Sequence, residues 1–501
     1  MNKNIVSCVA LMCYAIIFSH TLGYQSISLI SLSYFIFCLV ILKDGWVRVA
    51  ITAITALFSL YYPVSKLYGK ISPAIVYSTL ETNKAETLEL LNKLNIIDFA
   101  LPILTITLIA TTPTFTFKTK NNKQIITLLL IILIGINPVK NVFSNTNYSR
   151  CSELIDITPI KFSCSIYEQM ALYFSDLHNA KKNITKHNFY NVEHHKYNKN
   201  YVIIIGESAR KNLFNSYGFH MNNSPFLSSV NATVFDGLYS PTSYTAGSIV
   251  RFLSKNQQEK FIIEDNIVNL ANSAKIKTHW ISNQGFVGQH DSITSKIALL
   301  AQHIYFMKTY DYKGYESKDE SLLPIFESAV KNNTHNSNLF ILHTMGSHSN
   351  FCKRIKERKF TYTNNDLSCY ISSIYETDQF IKHVKTTLDQ EINDYSIIYF
   401  SDHALSFTRK NELEHSEEYI QSYEVPFFII DRDDTERNVI KRKISWENFF
   451  YGLSNWLDVT YKDNPIYSFK NKKNDDKIEL LINNTLQSKS YLKSDIENRP
   501  E

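Results

Sequence analysis

The pattern of apolar and polar positions divides the chain into two unlike parts. Up to about residue 140, long apolar runs alternate with short polar loops, and beyond about residue 185 the apolar runs are shorter. A helix that crosses a bilayer needs roughly 17–25 mostly apolar residues, and several runs approach that length. They are Ile5–Leu22, Ile27–Leu42, Val47–Val64, Leu94–Thr112 and Gln124–Val139. The pattern therefore predicts a transmembrane domain with five spans over residues 1–140.

A cleaved signal peptide is the alternative interpretation of the first run. The apolar runs that follow it favour a membrane span instead. Residues 141–200 then form a bridge, in which Ile166–Leu177 has the mixture of aromatic, aliphatic and charged residues typical of an amphipathic helix at an interface. The rest of the bridge is polar, and we interpret it as a linker.

Beyond residue 200 the pattern is that of an α/β fold. Residues 201–206, 338–343 and 396–401 are rich in β-branched and aromatic side chains, as strands buried on both faces are. Further predicted strands and helices are Lys277–Ser282, Glu424–Asp431, Leu322–Lys331 and Ile371–Leu388. Since strands alternate with helices, we predict a mostly parallel central sheet, covered on both faces, in a domain that spans residues 201–501.

Charged residues in the short loops predict the side of the membrane on which each part lies. Lysine and arginine collect in the cytoplasmic loops of membrane proteins. Here they precede the first span and occupy the second and fourth loops, at Lys3, Lys43, Arg48, Lys118, Lys120 and Lys123. The amino terminus is therefore predicted inside and everything after residue 140 outside. The formal net charge of +5 is mild and indicates no nucleic-acid partner.

The placement of the cysteines agrees with an exported second part. Cys151, Cys164, Cys352 and Cys369 all fall where the chain is predicted outside, and disulfide bonds persist there. Four cysteines allow three pairings. We predict the two local pairings, Cys151–Cys164 and Cys352–Cys369.

Chemically distinctive side chains follow the three buried strands. Glu207 comes directly after the first strand, His343 ends the second, and Asp402 and His403 follow the third. In an open α/β sheet, ligands bind at the carboxyl ends of the strands. Carboxylate oxygens with an imidazole suit Zn²⁺ and leave a position for a reacting group. A metal site is therefore our first hypothesis, with capped turns and surface charges as the alternative.

A hydroxyl nucleophile beside such a metal is the next expectation. The stretch that begins at Tyr239 runs from a loop into a predicted helix and offers Thr242, Ser243 and Thr245. A hydroxyl at a helix start lies at the positive end of the helix dipole and faces amides that bind anions. A metal ion favours loss of the hydroxyl proton, which covalent catalysis requires. Spacing alone leaves all three hydroxyls open, and an ordinary N-cap cluster is the alternative.

A series of short motifs runs through the second part of the chain. They are Gly206-Glu207-Ser-Ala-Arg210, Asn223-Ser-Pro225, Thr245-Ala246, His343, Gly346-Ser-His348, Thr377-Asp378, Ser401-Asp402-His403 and His415. This series, with five spans before an exported domain, resembles the membrane-anchored phosphoethanolamine transferases of the alkaline phosphatase/sulfatase superfamily. The resemblance covers nearly the whole chain.

The resemblance implies a nucleophile and a set of metal ligands. It makes Thr245 the nucleophile that carries the phosphoethanolamine group. Glu207, Thr245, Asp402 and His403 are the implied ligands of a zinc ion. The resemblance implies one zinc ion and is compatible with a second.

Further residues are implied around this centre. His348 and His415 are expected to meet the phosphate, the leaving group or a second zinc ion, and His343 is expected among the cofactor-binding residues. Thr82 and Glu86, in the loop after the third span, resemble residues that help to hold the ethanolamine head group of the lipid donor.

The resemblance also implies an activity and a location. It implies transfer of phosphoethanolamine from phosphatidylethanolamine to a cell-envelope glycan, with lipopolysaccharide as the favoured acceptor. The protein is then expected in the bacterial inner membrane, among its lipids, with the catalytic domain in the periplasm.

Some positions depart from the family pattern and bear on the acceptor. Ser78 stands where many relatives that act on lipid A have asparagine, and Ala404 stands where glycine is usual. Trp280–Gln284 and Gln421–Pro426 are more similar to members that modify core sugars or other surface glycans. Lipid A is therefore the less favoured acceptor. The competing functions are transfer of another head group such as glycerol phosphate, phosphohydrolysis, and a non-catalytic membrane-anchored scaffold.

Overall fold

A computed structural model describes most of the chain. The described residues are 3–41, 45–81, 87, 91, 94–113, 119–143, 150–285, 292–308, 317–332 and 337–496. The chain forms two compact units, Met1–Phe174 and Ser175–Glu501. The predicted bridge, residues 141–200, contributes residues to both units.

The first unit is helical. Its helices are α1 Lys3–Thr21, α2 Leu29–Ile41, α3 Gly45–Ser59, α4 Tyr62–Tyr68, α5 Pro73–Glu81, α6 Ala100–Thr111, α7 Lys120–Phe143, α8 Cys151–Leu154 and the first part of α9 Thr158–Asn183. Apolar and aromatic side chains of the interior, among them Leu11, Tyr14, Phe18 and Phe35, pack together. Many other large apolar side chains of these helices point outward, as Leu57 does with 66% exposure.

A helix lies at each of the five predicted spans, but the helices differ in length. Among the described residues, α1 is long and apolar enough to cross a membrane, and α3 with α4, bent by 40°, makes a second candidate if the pair counts as one span. The apolar parts of α2 and α6 are shorter. The count of five spans therefore stays a prediction.

The second unit is built on a mixed sheet. The strands of the unit are β1 Glu193–His194, β2 Asn200–Gly206, β3 Thr233–Tyr239, β4 Ser254–Gln257, β5 Lys260–Asn266, β6 Lys277–Gly285, β7 His303–Lys308, β8 Asn338–His343, β9 Tyr395–Ser401, β10 Ser406–Arg409, β11 Glu412–Glu414, β12 Glu424–Asp431, β13 Asn438–Ile440, β14 Val459–Thr460, β15 Glu479–Ile482 and β16 Thr485–Ser488. The central sheet has eight strands in the order β13-β3-β12-β9-β2-β8-β6-β7. Strand β12 runs antiparallel to both of its neighbours, and the other neighbouring pairs are parallel. The predicted strands are confirmed, and the sheet is mostly parallel.

The register of the central strands fixes the position of the site. Strands β2, β8 and β9 are buried at every residue, which explains their continuous apolar sequences. Ile205 lies opposite His343 on one side and Phe400 on the other. The chain segments that follow these parallel strands therefore emerge at the same edge of the sheet.

Helices cover the sheet. They are α10 Pro225–Ser229, α11 Thr245–Leu253, α12 Ile267–Ser273, α13 Ile293–Ala298, α14 Leu323–Lys331, α15 Asn365–Glu391 and α16 Phe449–Trp456. Both predicted helices are confirmed, although α15 begins before the predicted Ile371. The Asn364 side chain explains this start, because its oxygen accepts a hydrogen bond from the amide of Leu367 at 2.8 Å and so caps the helix.

Both predicted disulfide bonds are confirmed. Cys151–Cys164 links α8 to α9 within the first unit. Cys352–Cys369 links the segment after β8 to α15 within the second unit.

Candidate active site and metal centre

Glu207 is held in place through its backbone. It follows β2, and the next residue, Ser208, adopts a left-handed conformation with φ 56° that turns the chain sharply. The carbonyl of Glu207 accepts a hydrogen bond from the amide of Ser347 at 2.9 Å. Gly346 packs directly on this peptide, since a Cβ added there would lie 2.8 Å from the Glu207 nitrogen. The carboxylate itself is buried, with a side-chain exposure of 1%.

Asp402 and His403 turn toward the same point from the end of β9. Asp402 Oδ1 accepts hydrogen bonds from the amides of Ser208 at 3.1 Å and His403 at 2.7 Å. The ring Nδ1 of His403 donates to the carbonyl of Ala404 at 3.1 Å, because a carbonyl can only accept. This bond fixes the ring, so that Nε2 points to Glu207 Oε1 at 3.2 Å and Asp402 Oδ2 at 3.4 Å.

Thr245 is the first residue of α11 and completes the cluster. Its hydroxyl oxygen lies 3.0 and 3.1 Å from the two carboxylate oxygens of Glu207 and 3.3 Å from His403 Nε2. The hydroxyl of Thr242 instead bonds within its own loop, to the carbonyl of Tyr244 at 2.9 Å and the hydroxyl of Ser248 at 2.8 Å. The spacing of the sequence made Thr242, Ser243 and Thr245 equal candidates for the nucleophile. In the structure, the Thr245 hydroxyl contacts Glu207 and His403.

The buried charges in this cluster depend on one another. Burial raises the pKa of Glu207, but the hydrogen bond and charge of His403 outweigh it and hold the pKa below its ordinary value. Burial, and next the charge of Glu207, raise the pKa of Asp402. Burial lowers the pKa of His403, but Asp402 and Glu207 outweigh it and raise the pKa above its ordinary value. The two buried carboxylates therefore require positive charge at this point.

The cluster fits a zinc ion. One donor atom each of Glu207, Asp402 and His403 lies within 4.8 Å of the others. Asp402 Oδ2 is buried, and its contact with His403 Nε2 at 3.4 Å is not a hydrogen bond, so this oxygen has no hydrogen-bond partner within the described part of the chain. An orphaned buried carboxylate oxygen is costly, and a cation supplies the missing partner. Two carboxylates, an imidazole and a hydroxyl form a donor set that zinc accepts.

Histidines lie around this centre. His343 is buried, which lowers its pKa to about 4, and burial lowers the pKa of His348 to about 3 although Glu207 opposes the shift. His343 Nε2 and His348 Nδ1 have no hydrogen-bond partner among the described residues. His415 Nδ1 lies 3.1 Å from the carbonyl of Ser243, and its ring lies 4.7 Å from the ring of His403. The His415 ring is thus near the cluster, and His348 interacts with the charge of Glu207. The roles that the resemblance implies for His343, His348 and His415 stay predictions.

Two polar residues near the site carried no sequence signal for their roles. Gln284 Nε2 donates to the carbonyl of Thr344 at 2.8 Å and lies 3.4 Å from Glu207 Oε2. The carboxylate of Asp319 accepts from the amides of Met345 at 2.7 Å and Gly346 at 2.8 Å, and so fixes the loop that leads to His348.

Some motif residues are structural. Asp378 accepts hydrogen bonds from the amides of Phe226 at 3.1 Å and Leu227 at 2.8 Å, at the start of α10. Asn223 accepts from the amide of Asn215 at 2.9 Å. These residues belong to the frame of the domain. Thr82 and Glu86, the predicted head-group residues, lie outside the described residues.

Comparisons with known proteins agree with this fold. A profile of the Sulfatase family matches residues 199–459, just over half of the chain. The integral membrane lipooligosaccharide phosphoethanolamine transferase A of Neisseria meningitidis superimposes with a TM-score of 0.62 at 15% identity, over 91% of this chain and 97% of that one. The periplasmic domain of Escherichia coli EptC in complex with zinc gives 0.55 at 19% identity, over 61% and 97%. The second unit therefore has an alkaline phosphatase-like α/β fold.

Proteins of similar sequence identify the family to which the chain belongs. Phosphoethanolamine transferase OpgE of Escherichia coli is 34% identical over 54% of this chain and 53% of its own length, so that the match spans about half of that relative. A putative phosphoethanolamine transferase of Haemophilus influenzae is 30% identical over 70% of this chain and 72% of its own length. The chain belongs to the phosphoethanolamine transferase family.

Proposed function

We propose that this protein transfers phosphoethanolamine from phosphatidylethanolamine to a cell-envelope glycan, with lipopolysaccharide as the favoured acceptor. Glu207, Thr245, Asp402 and His403 would hold one zinc ion. The observation that carries the proposal is the position of Thr245, whose hydroxyl lies 3.0 Å from Glu207 and 3.3 Å from His403 at the start of a helix. Family membership supports the head group, and no nucleic-acid partner is proposed.

The chemistry of the proposal follows from the arrangement of the Thr245 hydroxyl. Zinc, when bound, lowers the pKa of this hydroxyl and offsets the charge that develops on the transferred group. Because Thr245 begins α11, the open amides of the helix start face the same region and favour an anionic phosphate there. Burial of Glu207 and Asp402 keeps water away and strengthens these interactions.

The reaction proceeds in two displacements. In the first, Thr245 Oγ1 forms a bond to the donor phosphorus as the bond from phosphorus to the diacylglycerol oxygen breaks, which leaves a phosphothreonine. In the second, an acceptor hydroxyl attacks that phosphorus and Thr245 Oγ1 leaves. His348 and His415 are the candidates to carry the protons or bind the phosphate. Burial lowers the pKa of His348 to about 3, so its imidazole is neutral near pH 7 and can donate its ring N–H to the phosphate.

Substitution of Thr245 tests the proposal. Thr245→Ala removes the nucleophile, so we expect loss of transfer from a protein that remains folded and inserted in the membrane. Thr245→Ser keeps a hydroxyl and is expected to retain transfer, although at a reduced rate. The measurement is mass spectrometry of lipopolysaccharide from cells with each variant. A phosphoethanolamine-sized addition formed by Thr245→Ala at the parent level would exclude the assigned nucleophile.

A further inference from the structure

A buried ion pair joins the carboxyl-terminal tail to the first motif of the site. The side chains of Arg210 and Asp495 are exposed by 1% and 0%. Arg210 Nη1 donates to Asp495 Oδ2, and Arg210 Nη2 donates to Oδ1 at 3.2 Å. The guanidinium also lies 4.9 Å from the centre of the Phe407 ring. A buried ion pair with two hydrogen bonds between the guanidinium and the carboxylate holds both side chains in one orientation.

A series of hydrogen bonds connects Arg210 to Glu207, one of the proposed metal ligands. The backbone amide of Arg210 donates to the hydroxyl of Tyr370 at 2.8 Å, and this hydroxyl donates to the carbonyl of Ser208 at 2.8 Å. The Ser208 hydroxyl then donates to Glu207 Oε1 at 2.8 Å. A displacement of Arg210 therefore moves the turn that aims the Glu207 carboxylate.

Asp495 is connected to the second ligand segment as well. Its Oδ2 also accepts a hydrogen bond from the amide of Phe407 at 2.7 Å. Phe407 lies in β10, shortly after Asp402 and His403. One carboxylate thus bonds two of the three chain segments that supply the proposed metal ligands, the segment after β2 and the segment after β9.

The tail is itself fixed to the segment that follows His415. The amide of Ile420 donates to the carbonyl of Lys493 at 2.9 Å, and the amide of Lys493 donates to the carbonyl of Glu418 at 3.0 Å. The amide of Asp495 donates to Gln421 Oε1 at 3.0 Å. These hydrogen bonds fix the backbone of the tail up to and including Asp495.

We propose that Asp495 is a positioning residue of the active site, which sets the separation of the two ligand-bearing segments through Arg210 and Phe407. Asp495 does not touch the reacting atoms. The two segments already bond each other directly, through the Ser208 amide and Asp402 Oδ1. The Asp495 carboxylate adds a second tie at Arg210 and Phe407, and so supports the positions from which Glu207 and the Asp402–His403 pair reach one ion. The inference deepens the proposed function, because the ion is the proposed zinc.

Asp495→Asn tests this role in the full-length protein in detergent. Asparagine keeps the shape and an acceptor for the Phe407 amide but removes the charge that holds Arg210. Loss of a residue that bonds a metal ligand directly typically lowers metal affinity by about 10- to 100-fold. Asp495 acts through Arg210 and Phe407, so we expect zinc affinity, measured by titration against a chelating dye, to fall by about tenfold, the lower end of that range. The matched control is Asp476→Asn, since Asp476 is 93% exposed and lies 3.9 Å from Lys473.

A second measurement does not depend on zinc. Hydrogen exchange in the metal-free protein reports local opening of each segment. In Asp495→Asn, we expect exchange to become at least about tenfold faster in residues 206–214 and 402–410, while β8 stays as protected as in the parent. If the parent bound no zinc but the variant opened both segments, the proposed function would fail and the positioning role would stand.

The outcomes that overturn the inference are distinct. Zinc affinity and exchange within twofold of the parent, with only a lower melting temperature, would make Asp495 a purely structural residue. If Asp495→Asn does not fold, Arg210→Gln combined with Asp495→Asn removes both charges and leaves no unpaired one. Parent-like zinc affinity in that double variant would overturn the inference. Failure of both variants to fold would overturn it too, because the pair would then determine folding of the whole unit.

Discussion

At the scale of single residues, the contact between Gly346 and the Glu207 peptide predicts a specific loss of function. Gly346 has φ +44°, and a Cβ there would lie 2.8 Å from the Glu207 nitrogen and 2.9 Å from its carbonyl oxygen. Gly346→Ala must therefore displace Glu207. Since misplacement of a catalytic group by about 1 Å can cost about 100-fold, we expect a loss of that order in transfer activity, measured with purified protein.

Gly218→Ala is the matched control. Gly218 has φ +98°, but a Cβ there would meet nothing within 4 Å. Both substitutions carry the conformational cost of alanine at positive φ, about 1–2 kcal/mol, and both should lower the melting temperature. Equal activity losses in the two variants would show that backbone strain, and not the contact with Glu207, causes the effect.

From the burial of His279 we predict how the free energy of unfolding depends on pH. Burial, and next the charge of His303, lower the pKa of His279 to about 4. An unfolded histidine has a pKa near 6.5, so the unfolded state takes up a proton below that pH that the native state does not. The stabilisation is therefore present above pH 6.5 and is lost as the pH falls toward 4. The loss amounts to at most about 3 kcal/mol.

His279→Gln removes this source of pH dependence. We expect the melting temperature of the variant to fall less between pH 7 and pH 4.5 than that of the parent. His220→Gln is the control, because His220 is exposed. A parent-like fall in His279→Gln would mean that other groups account for the acid sensitivity.

The residues of the candidate metal cluster could be found from the sequence because each lies at the end of a strand or the start of a helix. Glu207, Asp402 and His403 stand where apolar runs stop, and parallel strands bring such ends together. Thr245 could not be separated from Thr242 and Ser243 by spacing, since the choice depends on which way each hydroxyl points. Asp495 could not be found at all, because nothing local marks a charged tail residue as the partner of Arg210.

At the scale of elements, the disulfide Cys352–Cys369 predicts a local effect on stability. It joins the segment after β8 to α15 across 17 residues. Closing a loop of this length stabilises a protein by about 3 kcal/mol in the chain-entropy account. We expect Cys352→Ser with Cys369→Ser to lower the melting temperature of the second unit by several degrees.

The matching change in the first unit is the control. Cys151→Ser with Cys164→Ser opens the disulfide between α8 and α9. If the contribution of Cys352–Cys369 is local, this control should leave unfolding of the second unit, followed by its tryptophan fluorescence, unchanged. Equal shifts in both double variants would contradict a local effect.

The apolar pattern predicted the strands β2, β6, β8, β9 and β12 of the central sheet, but it did not predict the direction of each strand. The run of residues that forms β12 is as apolar as β2 or β9, yet β12 lies antiparallel between β3 and β9. Periodicity reports burial on the two faces of a strand and is the same for both directions. Strand β1 was likewise missed, because its two residues in a polar segment pair with β14, far along the chain.

At the scale of the whole molecule, the division into an apolar first part and an α/β second part was readable because hydropathy differs so strongly between them. The number of crossings is harder to read. Several apolar runs are close to the minimum that a bilayer needs, and the bend between α3 and α4 divides one of them. The domain limits and the orientation stay predictions.

Contacts within the first unit support the predicted alternation of its helices. Arg48, at the start of α3, donates to the carbonyl of Thr112 after α6 at 3.0 Å, and both are predicted inside. The Ser65 hydroxyl donates to the carbonyl of Thr21, at the end of α1, at 2.8 Å, and both are predicted outside. Ends of helices that the loop charges assign to one side of the membrane are thus in contact.

These contacts lead to a test of orientation. A reporter enzyme that folds only where disulfide bonds form should be inactive when fused after Lys120, because the charges of that loop keep it inside. The same reporter should be active when fused after Glu153, since α7 has then crossed the membrane. Equal expression of both fusions, checked by immunoblot, is the control. Activity after Lys120 would reverse the orientation and place the Cys151–Cys164 and Cys352–Cys369 disulfides in the reducing cytoplasm, where such bonds are rare.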